Sequence, residues 1–152
     1  FKDVSKSFNQ LTNCYSSSSS LSKSIIIVDD EPDICETFKI VLQENGYNVN
    51  PFTNPLAALE HLLNHPNKYE LVISDYRMPF LNGCEFGIKV KELNSNIKVI
   101  LISTYDSIED NNNKLNFELH RKPVTLQKLL DIVNVSLYNN AIPSLSARLD
   151  EI

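Results

Sequence analysis

Ile25 to Val28 are four β-branched residues in a row, and they stop on two carboxylates, Asp29 and Asp30. An apolar run without polar alternation offers no face to water, so it predicts a strand covered on both sides, as in a parallel sheet. The form recurs along the chain. Leu71 to Ile73 leads to Asp75, Val99 to Ile102 leads to Ser103, and Phe117 with Leu119 leads to Lys122 and Pro123. Val49 and Phe52 mark one further brief strand. Helical spacing fills the intervals. Ile34, Phe38, Val41 and Leu42 share one face of a helix that Gly46 can end. Asn54 and Pro55 read as N-cap and first residue of a helix running to about Leu63. A turn from Met78 to Gly83, containing Pro79, precedes a helix with Phe86, Val90 and Leu93 on one face. Thr125 caps a last helix whose Leu126, Leu129, Leu130, Val133 and Leu137 form a stripe. Only Thr104 to Asn116 breaks the pattern, being polar and weakly helical. Strands and helices alternating through short loops predict an α/β fold with a doubly wound parallel sheet.

The rest of the chain sets limits. Residues 1–23 hold the serine run Ser16 to Ser20 and are expected to be a flexible tail or linker, with helical spacing only at Phe1, Val4, Phe8 and Leu11. Residues 24–138 form the expected domain, and residues 139–152 a C-terminal tail too short for a DNA-binding domain. The chain opens on Phe1, so a fragment or a processed product is expected, and no signal peptide is visible. A net charge of −5 does not supply the clustered Lys and Arg that nucleic acid requires. The apolar runs are too short to span a bilayer, so no membrane association is expected. Cys14, Cys35 and Cys84 are odd in number and lack a CxxC spacing, which argues against a disulfide framework or a zinc site and for a reducing, cytoplasmic setting. Cys84 is expected to be a packing residue, and His61, His65 and His120 to be surface residues without a metal role.

In open parallel sheets, ligands bind beyond the carboxyl ends of the strands. Asp29, Asp30, Asp75, Ser103 and Lys122 all stand at such ends. Three adjacent carboxylates repel one another unless a cation lies between them, and an all-oxygen set suits Mg²⁺. A carboxylate, a hard cation, a hydroxyl and an ammonium are the parts that phosphoryl transfer to a carboxylate uses.

The segments IIIVDDEP, LVISDYRMP with Asn82-Gly83 soon after, VILIST and HRKP resemble the receiver domains of two-component response regulators, the chemotaxis regulator among them. The resemblance covers about Ser24 to Tyr138. It implies a flavodoxin-like, five-stranded parallel sheet in the order 2-1-3-4-5 with helices on both faces. It implies Asp75 as phosphoacceptor, with Mg²⁺ held by Asp29, Asp30, Asp75 and the backbone carbonyl of Arg77. Ser103 and Lys122 would bind the phosphoryl group, and the Lys122–Pro123 peptide would be cis. The implied donor is a histidine kinase or phosphotransfer protein, and the implied output is altered binding of a downstream protein.

Some positions depart from the family pattern. Leu119 stands where a Tyr or Phe usually reports phosphorylation, with Phe117 and His120 as the neighbouring substitutes. The segment before Lys122 is short, and Arg77 and Tyr105 are bulky beside the site. A module that binds without turning over phosphate is the main alternative. A phosphohydrolase would need an acid at Arg77, and a dinucleotide enzyme a glycine-rich turn after the first strand, which the chain's three glycines do not provide.

Overall fold

In a computed structural model, the protein is described over residues 22–104 and 117–138. The expectations for both tails, Cys14, Tyr105 and the polar stretch 105–116 lie outside these residues. The elements in chain order are β1 (Ser24–Val28), α1 (Pro32–Glu44), β2 (Asn48–Phe52), α2 (Pro55–Asn64), β3 (Leu71–Asp75), α3 (Gly83–Leu93), β4 (Lys98–Ser103), β5 (Glu118–Arg121) and α4 (Leu126–Tyr138). All pairings are parallel and the sheet order is β2-β1-β3-β4-β5, as expected.

Each strand divides its side chains between two cores. Ile26, Val28, Val72 and Leu101 pack with Leu62 of α2 and Phe86 and Val90 of α3. Ile25, Ile27, Ile73 and Ile102 pack with Leu42 of α1 and Leu129 and Val133 of α4. A run with no polar alternation is therefore two interleaved apolar sets, one per face. Burying each such side chain contributes about 1.5–3 kcal/mol, and β1 and β3 bury every residue they contain.

The local signals act as read. Gly46 follows α1 with φ +94°, its amide bonded to the Gln43 carbonyl, where a side chain would be strained. Asn54 Oδ1 accepts the Leu56 amide at 2.8 Å, with Pro55 first in the helix. Thr125 Oγ1 accepts the Lys128 amide at 3.0 Å, capping α4. The helix stripes are narrower than their spacing suggests: Leu93 and Leu126 are exposed, while Ile132 is buried.

The histidines correct the sequence reading in part. His65 is exposed, but His61 is half-buried, its Nε2 lying 2.8 Å from Tyr69 Oη and 3.2 Å from Asn50 Nδ2. Burial, then His65 and Lys68, hold its pKa below the ordinary value. The His65 ring stacks on it at 4.3 Å between centroids. His120 is half-buried and 2.6 Å from Glu118 Oε2. Among the described residues, neither Cys35 nor Cys84 forms a disulfide, and the two are buried in opposite cores, Cys84 in the one that holds Phe86 and Val90.

Candidate functional site

Strand register assembles the site. Val28 is level with Ser74, so Asp29 leaves β1 beside Asp75 at the end of β3. Asp75 is level with Ile102, one residue before Ser103, and Ser103 is level with Arg121, one residue before Lys122. Residues more than ninety positions apart in sequence thus meet at one edge. Lys122 Nζ lies 3.3 Å from Asp75 Oδ1 and 3.5 Å from Asp29 Oδ2. Carboxylate oxygens of Asp29, Asp30 and Asp75 lie within 4.8 Å of one another, the first and last buried and Asp30 exposed. Ser103 is buried, and its carbonyl accepts the Lys122 amide at 2.8 Å. Arg77 is exposed, two residues beyond Asp75. The Lys122–Pro123 peptide is cis.

Several contacts hold these groups in place. Asp29 Oδ1 accepts the Glu31 amide at 2.9 Å, which turns the chain into α1. The Cys35 thiol donates to the Asp29 carbonyl at 3.2 Å from one turn inside α1. Burial, then the Asp29 charge, pushes that thiol up to about 11, so it stays protonated and unreactive at neutral pH. Ser74 Oγ donates to the Asp75 carbonyl at 2.9 Å. Gly83 is required on the far side: a Cβ there would lie 2.7 Å from the Asp75 carbonyl oxygen and 2.9 Å from Tyr76 Cα. Asn82 and Glu85 exchange bonds in a capping box that fixes the start of α3.

The electrostatics match a crowded acidic pocket. Burial raises the Asp29 pKa to about 6 and Asp75 adds repulsion, against the opposing pull of the Glu31 amide and Lys122. Asp75 is likewise raised by burial, Lys122 opposing and Asp30 adding to it. Burial works against the Lys122 charge, but Asp29 and Asp75 together outweigh it and its pKa lies above the ordinary value. One ammonium does not neutralise three carboxylates, and an oxygen-only donor set is what a hard divalent cation takes. The residues fit a metal ion.

The family described as the response regulator receiver domain matches residues 25–134. The chain belongs to that family. Among response regulators, the CpxR homolog of Haemophilus influenzae is 30% identical over 79% of this chain. The chain spans 52% of that relative and as little as 16% of another, so it corresponds to about half or less of these regulators. Among receiver domains of known structure, one from Clostridium thermocellum superposes with a TM-score of 0.71 at 25% identity, covering 79% of this chain and 98% of that one. The regulator TrrA of Thermotoga maritima, solved with Mg²⁺ and BeF, gives 0.65 at 30% identity over 75% of this chain and 98% of its own. The receiver fold thus carries an acidic pocket able to bind a metal, faced by one lysine.

Four features of this receiver escape the motifs. The Cys35 thiol bond depends on how α1 crosses β1, which no spacing encodes. The Asn82–Glu85 capping box is visible as N-x-x-E ahead of an apolar stripe and could have been read. Ser74 is hidden inside the β3 run. Phe80 has φ +76° while Leu81 N bonds Pro79 O at 2.9 Å, a positive-φ γ-turn that nothing in the residue types foretells.

Proposed function

We propose that Asp75 accepts a phosphoryl group from a histidine kinase or phosphotransfer protein and that its phosphorylation changes the binding of a downstream protein. The observation that carries this reading is Lys122 Nζ 3.3 Å from Asp75 Oδ1, beside two further carboxylates. Asp29, Asp30, Asp75 and the Arg77 carbonyl would hold Mg²⁺. When bound, Mg²⁺ offsets the repulsion between Asp75 and an approaching phosphoryl group and stabilises the charge spread over its oxygens. Asp75 supplies the attacking oxygen. Lys122, now paired with Asp29 and Asp75, turns its ammonium to a phosphoryl oxygen, and Ser103 donates a hydrogen bond to another. Loss of the phosphate by hydrolysis is slow, with Arg77 standing beside the approach that water needs. The setting is a cytoplasmic signalling pathway with no nucleic acid or membrane bound by this domain.

Intact mass after incubation with acetyl phosphate is the test. One added phosphoryl group is expected with Mg²⁺, and none for Asp75→Asn or with chelator. Equal labelling of Asp75→Asn would remove Asp75 from the role.

Leu119 favours a second reading, in which the domain binds partners without turning over phosphate. It is half-buried against the α2–α3 core, Phe117 is buried in the same core, and His120 pairs with Glu118. No aromatic ring at these positions is poised to rotate. Absence of labelling with every donor would support that reading.

A further inference from the structure

A cavity of about 220 Å³ lies at the far end of β4 from Ser103. It is lined by Lys91 in the last turn of α3, Lys98 at the start of β4, Glu118 at the start of β5 and Ser136 of α4, with Val99 and Phe117 as an apolar wall. None of these residues belongs to the site around Asp75. Lys98 Nζ donates to the Ser136 carbonyl at 2.7 Å, and Lys91 Nζ to the Ser95 carbonyl at 3.2 Å. An ammonium carries three protons, so each lysine keeps donors to spare. The Ser136 hydroxyl has no hydrogen-bond partner among the described residues, although the residue is only 5% exposed. A buried hydroxyl is rarely left so, because losing water without gaining a partner is costly. Burial, then the Lys98 charge, holds the Lys91 pKa below its ordinary value, as befits two ammoniums sharing a partly enclosed space. Glu118 is exposed and turned to His120, its Oε2 lying 2.6 Å from Nε2 of that ring.

We propose that this cavity binds a small organic carboxylate, whose oxygens accept from Lys91 and Lys98 and give the Ser136 hydroxyl a partner, while its apolar body lies against Val99 and Phe117. Two lysines against one glutamate leave the lining with a formal charge of +1, which one carboxylate matches. A phosphate dianion would exceed it, beside the last carbonyls of α4 at the negative end of the helix dipole. A dry apolar cavity of about 150 Å³ holds a benzene ring, so benzoate is of a size to fit. Binding here makes no use of Asp75, and the inference stands apart from the phosphoacceptor reading.

The test titrates the whole chain with sodium benzoate at constant ionic strength and follows amide chemical shifts. Saturable shifts are expected at Lys98, Val99 and Ser136. Benzamide, the uncharged analogue, and inorganic phosphate should each bind at least about tenfold more weakly. Lys91→Gln and Lys98→Gln should each weaken benzoate about tenfold, and Ser136→Ala about threefold. Lys98→Arg keeps the charge and a donor for the Ser136 carbonyl, so it should bind nearly as the unaltered chain does. Shifts that do not saturate, benzamide binding as well as benzoate, or lysine variants with unchanged affinity overturn the site. Tighter binding of phosphate than of benzoate overturns its assignment to a carboxylate. A loss in Lys98→Arg as large as in Lys98→Gln overturns the role of charge, and unchanged binding by Ser136→Ala removes the hydroxyl from the contact.

Discussion

The acidic and basic halves of the site are carried by different kinds of strand. Asp29 and Asp75 extend from β1 and β3, in which every residue is buried. Lys122 extends from β5, an edge strand with no fully buried residue. The carboxylates are therefore held by both cores at once, desolvated and close together. The lysine that answers them is carried by the part of the sheet with least packing. Local stability follows buried apolar contact, so the acidic pocket is firmly held by its two strands, while the strand that carries the lysine is held least.

Core truncation breaks the comparison most severely. Ile27→Ala or Ile73→Ala, each nearly inaccessible, is expected to cost about 2–5 kcal/mol of folding stability. Leu119→Ala in half-buried β5 is expected to cost only ~1 kcal/mol. Urea titration followed by circular dichroism measures both, and equal losses would mean that β5 is as firmly held as β1.

Removing Lys122 tests the basic half. Lys122→Ala leaves Asp29 and Asp75 without their cation and is expected to lower metal-free stability at pH 7 by about 1.5–3 kcal/mol. Beryllofluoride with Mg²⁺ should still shift amides at the ends of β1 and β3 in this variant but no longer those of β5. Ser103→Ala should show the same pattern more weakly. Full β5 shifts in Lys122→Ala would show that the response leaves the site by another route.

The pH dependence belongs to the acidic half. The folded Asp29 pKa of about 6 lies above its ordinary 3.8, so between those values the folded chain keeps a proton that the unfolded chain has released. The stability this contributes is fully present below pH 3.8 and is lost as pH rises through about 6. Asp75, also raised, acts with the same sign. The raised Lys122 contributes stability until pH exceeds its ordinary 10.5, outside this window. On account of these two acids, metal-free protein should lose stability between pH 5 and 7. Mg²⁺ binds only the ionised carboxylates, so it should restore stability at pH 7 and do little at pH 5. Its apparent affinity should fall up to about tenfold per pH unit below 6. Calorimetric melting with and without Mg²⁺ reads this, and a Mg²⁺ effect equal at both pH values would disprove the raised pKa of the pocket.

The same division governs what was legible in the sequence. Uninterrupted apolar runs named β1, β3 and β4, and parallel topology then brought Asp29, Asp75, Ser103 and Lys122 together at the strand ends. The runs were unambiguous because these strands are covered on both faces. Edge strands are written less plainly: β5 showed only through Phe117 and Leu119, and β2 through Val49 and Phe52. Features that depend on how elements cross were not legible, such as the Cys35 thiol under Asp29 and the His61–Tyr69–Asn50 network between α2 and β2. The motif fixed the position of Lys122, but the difference in packing between its strand and those of the carboxylates emerged only from burial.

The smallest expected effect concerns the loop that leads from β3, on the acidic half, to α3. Phe80 sits in the left-handed region at φ +76° and is 73% exposed. A Cβ disfavours that region, and the exposed ring recovers little by burial, so the residue is a net strain between rigid β3 and the capped start of α3. Glycine adopts the same backbone without a clash but loses more freedom on folding. The two effects oppose each other, and relief of the clash is expected to win. Phe80→Gly should raise stability by about 0.5–1 kcal/mol in the same urea titration. Phe80→Ala keeps the Cβ while removing the ring, and should leave stability nearly unchanged. A loss in both variants would mean that the aromatic ring supports the loop, and the acidic half would then depend on a surface contact as well as on its two buried strands.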